Sequence, residues 1–294
     1  VEHTMPALDK ISKSRTWPFV AMAGILILGF ALRAYRLSEE SPWWDEIVTL
    51  GNLDAPGMTD FIERVRAEDP PMTPVYFLLA FLWSGYTSTD TIDMRLLSVV
   101  LGLGTILLMF WAGRLLYGPR AGLIAAWAQA LSLVHIYYSQ EVRVYALVTL
   151  LATLSMGSFI VALNGMKGRW WFIHLMCNFL LTFTHLFTPL LFAAQGMFLL
   201  MFRNWNRPLI VVWGLYHVLL GAILALWLNM VDLSSVHEAA SWMVAPGFRE
   251  IVMFVLIFGG GRPTNENPSS HLPTGVSLDV MLAGLLVAII LWFV

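Results

Sequence analysis

Residues 96–113 read LLSVVLGLGTILLMFWAG, eighteen side chains without a charge, and this run is bounded by Arg95 and Arg114. The hydrocarbon core of a bilayer is about 30 Å thick and takes roughly 20 apolar residues to cross as a helix. A run of this length, with a charge at each end, is typical of one membrane crossing. It therefore predicts a membrane-spanning helix.

The whole chain shares this apolar character. Of its 294 residues, 58% are hydrophobic and 12% are charged, and the mean hydropathy is +0.72. An average soluble domain has about 25% charged residues, so this chain has too few to cover a soluble surface. The composition argues against a soluble enzyme and a disordered chain. The net charge of −2 offers no basic surface for a nucleic acid.

Further apolar runs predict an all-α, polytopic membrane protein with about seven or eight spans. One run is long enough for two spans, with a turn near residues 185–189. The last run is cut by the end of the chain, which leaves open that the sequence is a fragment. The further runs are 16–32, 121–140, 144–166, 170–202, 208–231 and 276–294.

A short apolar stretch, residues 75–83, decides the sidedness of the chain. It follows three prolines and is too short to span, so we interpret it as an interfacial or re-entrant helix. The hinges then alternate, with nine basic and two acidic residues inside and seventeen acidic residues outside. The positive-inside rule favours this arrangement, with a cytoplasmic N-terminus.

The predicted layout has three regions. Residues 1–231 form a membrane module whose first outer loop, 33–94, contains two amphipathic helices, 57–67 and 73–86. An outer loop with an apolar patch and a mobile Gly- and Pro-rich stretch follows over 232–277. Residues 278–294 begin a further transmembrane helix. Because the inside loops are short, we expect the function on the outer face.

Two candidate clusters flank the first outer loop. Asp45 and Glu46 follow a pair of tryptophans, and Arg95 begins the long apolar run quoted above. The structural alternative for the acids is an interface belt with a helix cap, because Trp favours the membrane interface. The structural alternative for Arg95 is a cation that snorkels to the surface.

Two further clusters lie at later outer turns. The most specific is YYSQEVRVYAL, residues 137–147, where Glu141 and Arg143 are the only charges within 121–166. A tight turn needs no such pair, although a turn that merely stays hydrated is the alternative. His185 stands among aromatic residues, where a hydrogen-bonded packing role is the alternative to a functional one.

Together these clusters place acids, bases and aromatic walls on one face of the membrane. A carboxylate suits proton abstraction from a hydroxyl, and an arginine suits a phosphate held at low dielectric. A phosphate at membrane depth implies a lipid-like substrate, while the reaction stays open on residue chemistry alone. The candidates are the acidic residues Asp45, Glu46 and Glu141, the positively charged residues Arg33, Arg95 and Arg143, and the rings of Tyr138, Tyr145 and His185.

The motifs occur in a fixed order: Leu32-Arg33, Trp44-Asp45-Glu46, Asp69-Pro70-Pro71, Tyr76-Phe77-Leu78-Leu79, Leu82-Trp83, Met94-Arg95-Leu96-Leu97-Ser98, Gly113-Arg114-Leu115-Leu116-Tyr117-Gly118, Tyr138-Ser139-Gln140-Glu141-Val142-Arg143-Val144-Tyr145-Ala146-Leu147 and Thr184-His185. This set resembles the GT-C superfamily of membrane glycosyltransferases. Within it, the set is similar to bacterial relatives of protein O-mannosyltransferase and aminoarabinose transferase. The resemblance covers about residues 17–200. Residues 208–294 agree only in general character.

The resemblance implies transfer of a sugar, with inversion, from a polyprenyl-phosphate carrier to a glycan, lipid or protein acceptor. The site would lie on the extracytoplasmic face of a bacterial inner membrane. Asp45, or its neighbour Glu46, is then expected to be the general base. Glu141 would orient the donor sugar or acceptor, or bind a divalent metal with Asp45 in relatives that use one. Arg95 and Arg143 would hold the lipid phosphate.

The resemblance also has a departure and two competitors. Residues 70–74 read PPMTP where relatives more often have one compact Pro pair, which leaves the start of the interfacial helix open. A transporter or flippase of lipid-linked sugars should carry polar residues at mid-membrane, whereas the centres of the apolar runs are expected to be apolar. A catalytically inert assembly subunit would tolerate any residue at Asp45 and Glu141.

Overall fold

Eleven helices, and no strand, make up the part of the chain that the computed structural model describes, residues 16–68, 74–165, 168–202 and 207–229. The all-α class is confirmed for these residues. The helices are α1 (Trp17–Ala34), α2 (Trp44–Leu53), α3 (Met58–Glu68), α4 (Pro74–Ser84), α5 (Thr91–Tyr117), α6 (Pro119–Leu131), α7 (Leu133–Tyr138), α8 (Tyr145–Leu163), α9 (Arg169–Thr182), α10 (Pro189–Phe202) and α11 (Arg207–Asn229).

Four helices in this part of the chain are long and apolar enough to cross a membrane. They are α1, α5, α8 and the Pro208–Asn229 part of α11. The predicted turn near residues 185–189 is confirmed, because α9 ends at Thr182 and α10 begins at Pro189. However, α9 and α10 have 14 residues each. Such a helix is about 21 Å long, which is shorter than the hydrocarbon core.

The predicted span over residues 121–140 is divided in two. α6 ends at Leu131, Ser132 has an extended ψ of 114°, and α7 begins at Leu133. The expectation of one continuous helix is wrong. The break leaves carbonyl groups of α6 without their helical partners, and Arg33 of α1 donates to two of them.

The predicted first outer loop, residues 33–94, contains α2, α3 and α4. The two predicted helices are present, and α3 is amphipathic, with Phe61 and Val65 fully buried. α4 differs from the expectation, because its eleven residues, PVYFLLAFLWS, are apolar on every side. At about 16 Å it is too short to cross the membrane alone. It packs on α5 and α2, burying Tyr76, Phe77 and Ala80.

α5 is the central helix, and it packs on α1, α4, α6 and α8. It turns into α6 at Gly118, whose φ of 91° is a conformation that favours glycine. The two helices then approach closely at Gly122, where an added Cβ would lie 2.5 Å from the Phe110 carbonyl oxygen. Both α1 and α8 pack on α5, and Gln140 in the turn before α8 donates to the carbonyl oxygens of Arg33 and Tyr35 at the end of α1.

Several predictions fall on residues outside the described ones. They are the outer loop over 232–277, the last span over 276–294, the PPMTP stretch over 70–74 except Pro74, and the basic residues that precede α1.

Candidate functional site

A buried ion pair between Glu46 and Arg95 forms the centre of the site. Arg95 donates from Nη2 to Glu46 Oε2 at 2.8 Å and from Nε to Oε1 at 3.0 Å. The Glu46 side chain is only 1% exposed and the Arg95 side chain only 5% exposed. Two parallel hydrogen bonds of this kind are the strong, bidentate geometry of an arginine and a carboxylate.

This pair joins four segments of the chain. Arg95 Nη1 also donates to the carbonyl oxygens of Leu37, at 2.8 Å, and Glu40, at 2.9 Å. The Glu46 carboxylate accepts the backbone N–H of Val142 at 2.8 Å. The loop after α1, helix α2, helix α5 and the turn before α8 are therefore bound to one another. Contact between Arg95 and a lipid phosphate would require some of these hydrogen bonds to break.

Arg33, the third candidate arginine, is fully buried. Its guanidinium donates to the carbonyl oxygens of Gln129 and Ala130 at 3.1 Å and to Ser139 Oγ at 3.2 Å. These carbonyls lie at the end of α6, where the break at Ser132 removes their helical donors. Arg33 thus stabilises the division of α6 from α7, and it lies inside the protein instead of on its outer surface.

A second, more open ion pair lies beside the first. Arg143 Nη2 is 3.3 Å from Asp45 Oδ2, with the Asp45 side chain 37% exposed and that of Arg143 16% exposed. Arg143 Nη1 is 3.3 Å from the Thr49 hydroxyl oxygen. Thr49 in turn donates to the Asp45 carbonyl oxygen at 2.8 Å. The open pair offers a carboxylate and a guanidinium that a ligand can reach.

Three rings line the same region. The centroids of Tyr138 and Tyr145 are 4.5 Å apart, and those of Tyr145 and His185 are 5.9 Å apart. The Phe187 backbone N–H donates to His185 Nδ1 at 3.2 Å, so a neutral ring carries its proton on Nε2. Burial and the nearby charge of Arg143 lower the pKa of His185. The fold therefore brings the predicted rings and the open pair into one neighbourhood.

Glu141 occupies a closed position in the turn before α8. It is 5% exposed, and its backbone carbonyl accepts the Ser98 hydroxyl at 2.6 Å. Burial raises the pKa of its carboxyl group, and the nearby Glu46 charge adds to this, while a hydrogen bond from Tyr137 opposes it. Among the described residues, no group hydrogen-bonds to Oε2. Glu141 can thus hold a proton more tightly than an exposed glutamate.

Tyr76 on α4 was not among the predicted site residues. Its side chain is fully buried. Burial raises the pKa of the phenol, and the charges that act on it come from Arg143, Glu46 and Glu141. It is therefore part of the same polar centre. The available signal was a lone hydroxyl in the otherwise apolar run that follows Pro74.

A second polar cluster was also missed, between α8, α9, α10 and α11. Ser155 Oγ donates to Asn178 Oδ1 at 2.5 Å, and Asn178 Nδ2 lies 3.1 Å from Gln195 Oε1 and 2.8 Å from His217 Nε2. His174 accepts the Trp213 indole N–H at 3.1 Å. The expectation of apolar centres in these runs is wrong. That expectation rested on the absence of charged residues, whereas these side chains are amides, hydroxyls and imidazoles.

Two cavities lie on the side of Arg95 that faces the loop after α1. They measure about 510 Å³ and about 360 Å³, and both are lined by Leu37, Glu40 and Arg95. The larger one also contains Asp90 and Asp93 in its wall. Neither lining includes the open pair or His185. Because the Asp45 side chain is 37% exposed, the open pair lies near the protein surface.

The residues proposed for a metal do not form a recognisable ligand set. Within the four described stretches, no group of three His, Cys, Asp or Glu side chains is placed to hold a metal ion. Asp45 instead faces Arg143, whose positive charge opposes a cation at that carboxylate.

Comparison with protein-family models, with curated proteins and with solved structures finds no match to this chain, so the case for a function rests on its residues and their geometry.

Proposed function

We propose that this chain is the membrane part of a GT-C-type glycosyltransferase with about seven or eight spans and a cytoplasmic N-terminus. It would transfer a sugar from a polyprenyl-phosphate carrier to a glycan, lipid or protein acceptor at the extracytoplasmic face of a bacterial inner membrane. The observation that carries the proposal is the open Asp45–Arg143 pair beside the rings of Tyr138, Tyr145 and His185. The ordered motifs of the sequence support it further.

The proposed reaction is a single displacement. The carboxylate of Asp45 takes the proton of an acceptor hydroxyl as its oxygen forms a bond to the anomeric carbon. The bond from that carbon to the phosphate oxygen breaks, and its electron pair stays on the phosphate. The products are the glycosylated acceptor with inverted configuration, a lipid phosphate with one more negative charge, and a protonated Asp45. Arg143 would stabilise the charge that develops on the phosphate.

The other candidate residues take supporting roles in this proposal. Glu46 and Arg95 would be positioning residues, because their bidentate pair fixes α2 against α5 and Glu46 also accepts the Val142 N–H of the turn that carries Arg143. Glu141 would orient the sugar or acceptor from its closed position in the same turn. His185 would donate from Nε2, since its Nδ1 accepts a backbone N–H. The rings of Tyr138 and Tyr145 would pack against the substrate.

A transfer assay tests this proposal. The purified protein is incubated with a panel of polyprenyl-phosphate sugars, and product formation is compared for the parent and Asp45→Asn. Loss of a general base typically lowers the rate by about 10²–10⁴-fold. Asp54→Asn is the matched control, because it is the same change at an exposed acid at the C-terminal end of α2. Full activity of both Asp45→Asn and Glu141→Gln would refute the assigned site.

Transport of a lipid-linked sugar is a second candidate, and one observation favours it. The Ser155, His174, Asn178, Gln195 and His217 cluster places polar side chains deep in a helical bundle, as transporters do. These groups hydrogen-bond to one another, which also suits a purely structural role. A flipping assay in proteoliposomes distinguishes the transporter from the glycosyltransferase. If the protein moves a lipid-linked sugar across the bilayer but transfers no sugar from any donor, it is a transporter.

A further inference from the structure

Two neighbouring acids of α2 pair with two arginines in different ways. The Glu46–Arg95 pair is bidentate and at most 5% exposed. The Asp45–Arg143 pair has a longer distance of 3.3 Å, and its acid is 37% exposed. A closed, bidentate pair is held firmly, whereas an exposed pair contributes little free energy and exchanges easily.

The open pair contains both of the groups that the proposed reaction needs. Asp45 must be available to an acceptor hydroxyl, and Arg143 must be available to the phosphate of the donor. In this structure each instead faces the other. The pair is therefore a resting arrangement from which neither group acts until the contact opens.

We infer that the Asp45–Arg143 ion pair is a latch, and that the phosphate group of the donor opens it by replacing the Asp45 carboxylate on Arg143. This inference rests on the proposed function. A phosphate can accept two parallel hydrogen bonds from a guanidinium, so it competes well with a carboxylate held at 3.3 Å. The exchange leaves the Asp45 carboxylate facing the acceptor.

The surroundings of the pair suit this exchange. Arg143 also lies within 3.3 Å of the Thr49 hydroxyl and 3.4 Å of the Asp45 carbonyl oxygen, through Nη1. These contacts can keep the guanidinium in place while Nη2 changes its partner. The backbone of the turn is held separately, by the hydrogen bond between the Val142 N–H and Glu46. Binding would then be ordered, with the donor first and the acceptor second.

Binding of a prenyl phosphate tests the latch without any sugar transfer. The probe is farnesyl monophosphate, titrated calorimetrically into the detergent-solubilised full chain, with farnesol as the phosphate-free control. Asp45→Asn removes the competing carboxylate, and we expect it to bind farnesyl monophosphate about twofold to fivefold more tightly than the parent, from the strength of a half-exposed pair. Farnesol binding should not change.

Three further variants separate the latch from the proposed function. Arg143→Gln should weaken farnesyl monophosphate binding by more than tenfold, and adding Asp45→Asn to it should then have no effect, because the pair no longer exists. Asp54→Asn removes the same charge from the same helix and should leave the affinity unchanged. Thermal unfolding of each variant verifies that it is folded.

The outcomes are distinct. Phosphate binding that depends on Arg143 but is unchanged or weakened by Asp45→Asn overturns the latch and leaves the proposed anion site standing. An equal gain of affinity in Asp54→Asn also overturns the latch, because it indicates a general charge effect. If the parent does not bind farnesyl monophosphate better than farnesol, both the latch and the phosphate site of the proposed function are refuted.

Discussion

Replacing Glu46 with Gln removes one charge from the closed pair and leaves the guanidinium of Arg95 buried at 4% exposure. Loss of one partner from a buried pair costs about 3–5 kcal/mol, since the remaining charge has neither water nor a counter-ion. The matched change, Asp45→Asn, makes the same replacement of a carboxylate by an amide at the adjacent residue. Because that pair is 37% exposed at the acid, it should cost no more than about 1 kcal/mol.

The free energies of unfolding are compared by thermal and denaturant unfolding in one detergent. We expect the loss for Glu46→Gln to be at least three times the loss for Asp45→Asn. The double variant Glu46→Leu with Arg95→Met should recover part of the loss, because it removes both buried charges. Equal losses for the two single variants would show that Glu46 and Arg95 do not hold the site together.

The remaining predictions concern packing, pH and sidedness. Gly122→Ala should lower the unfolding midpoint, because the new Cβ meets the α5 backbone at 2.5 Å, whereas Gly24→Ala, with nothing within 4 Å, should not. The raised pKa of Glu141 means that the folded state binds its proton more tightly, so this group lowers stability as the pH rises above its unfolded pKa. Glu141→Gln should therefore be more stable than the parent at pH 7. The difference in their free energies of unfolding should shrink as the pH falls towards 4. A difference that does not change with pH would contradict the claim that burial raises the pKa of Glu141. A cysteine at Arg120, in a Cys177→Ala background, should resist a membrane-impermeant thiol reagent applied from outside, and labelling would refute the interfacial placement of α4.

Hydropathy alone was enough to predict the four long helices. Runs of some twenty apolar residues can only be satisfied as helices in lipid, which is why α1, α5, α8 and α11 lie where the sequence predicts them. The structure also brings Arg143 close to Asp45 and to His185, although the three residues are far apart in sequence.

The difference between the two acids of α2 could not be predicted. Asp45 and Glu46 are adjacent, and on a helix adjacent side chains point about 100° apart. Which of them turns inward depends on where α2 begins and on which face packs against α5. The structure turns Glu46 and Thr49 inward, three residues apart, and leaves Asp45 at the edge. Only the packing of α2 determines this.

The break at Ser132 could not be predicted from the sequence, for a similar reason. The run 121–140 has the hydropathy of a continuous helix, and no proline or glycine marks its interruption. The break is stabilised by Arg33, whose hydrogen bonds to Gln129 and Ala130 come from another helix. The cluster around Asn178 differs from this break, because its polar residues are visible in the sequence. They are uncharged, so the absence of charge from these runs does not reveal them.

The partners of Arg33 also constrain how the protein is made. Apart from Gly29 in its own helix, they lie 96 to 106 residues further along the chain. A ribosome therefore delivers α1 to the membrane long before these acceptors exist, and a charge left without partners in lipid is costly. Arg33 gains these partners only after the region of Gln129 to Ser139 has been synthesised, so the final packing of α1 against α6 and α7 comes after that point.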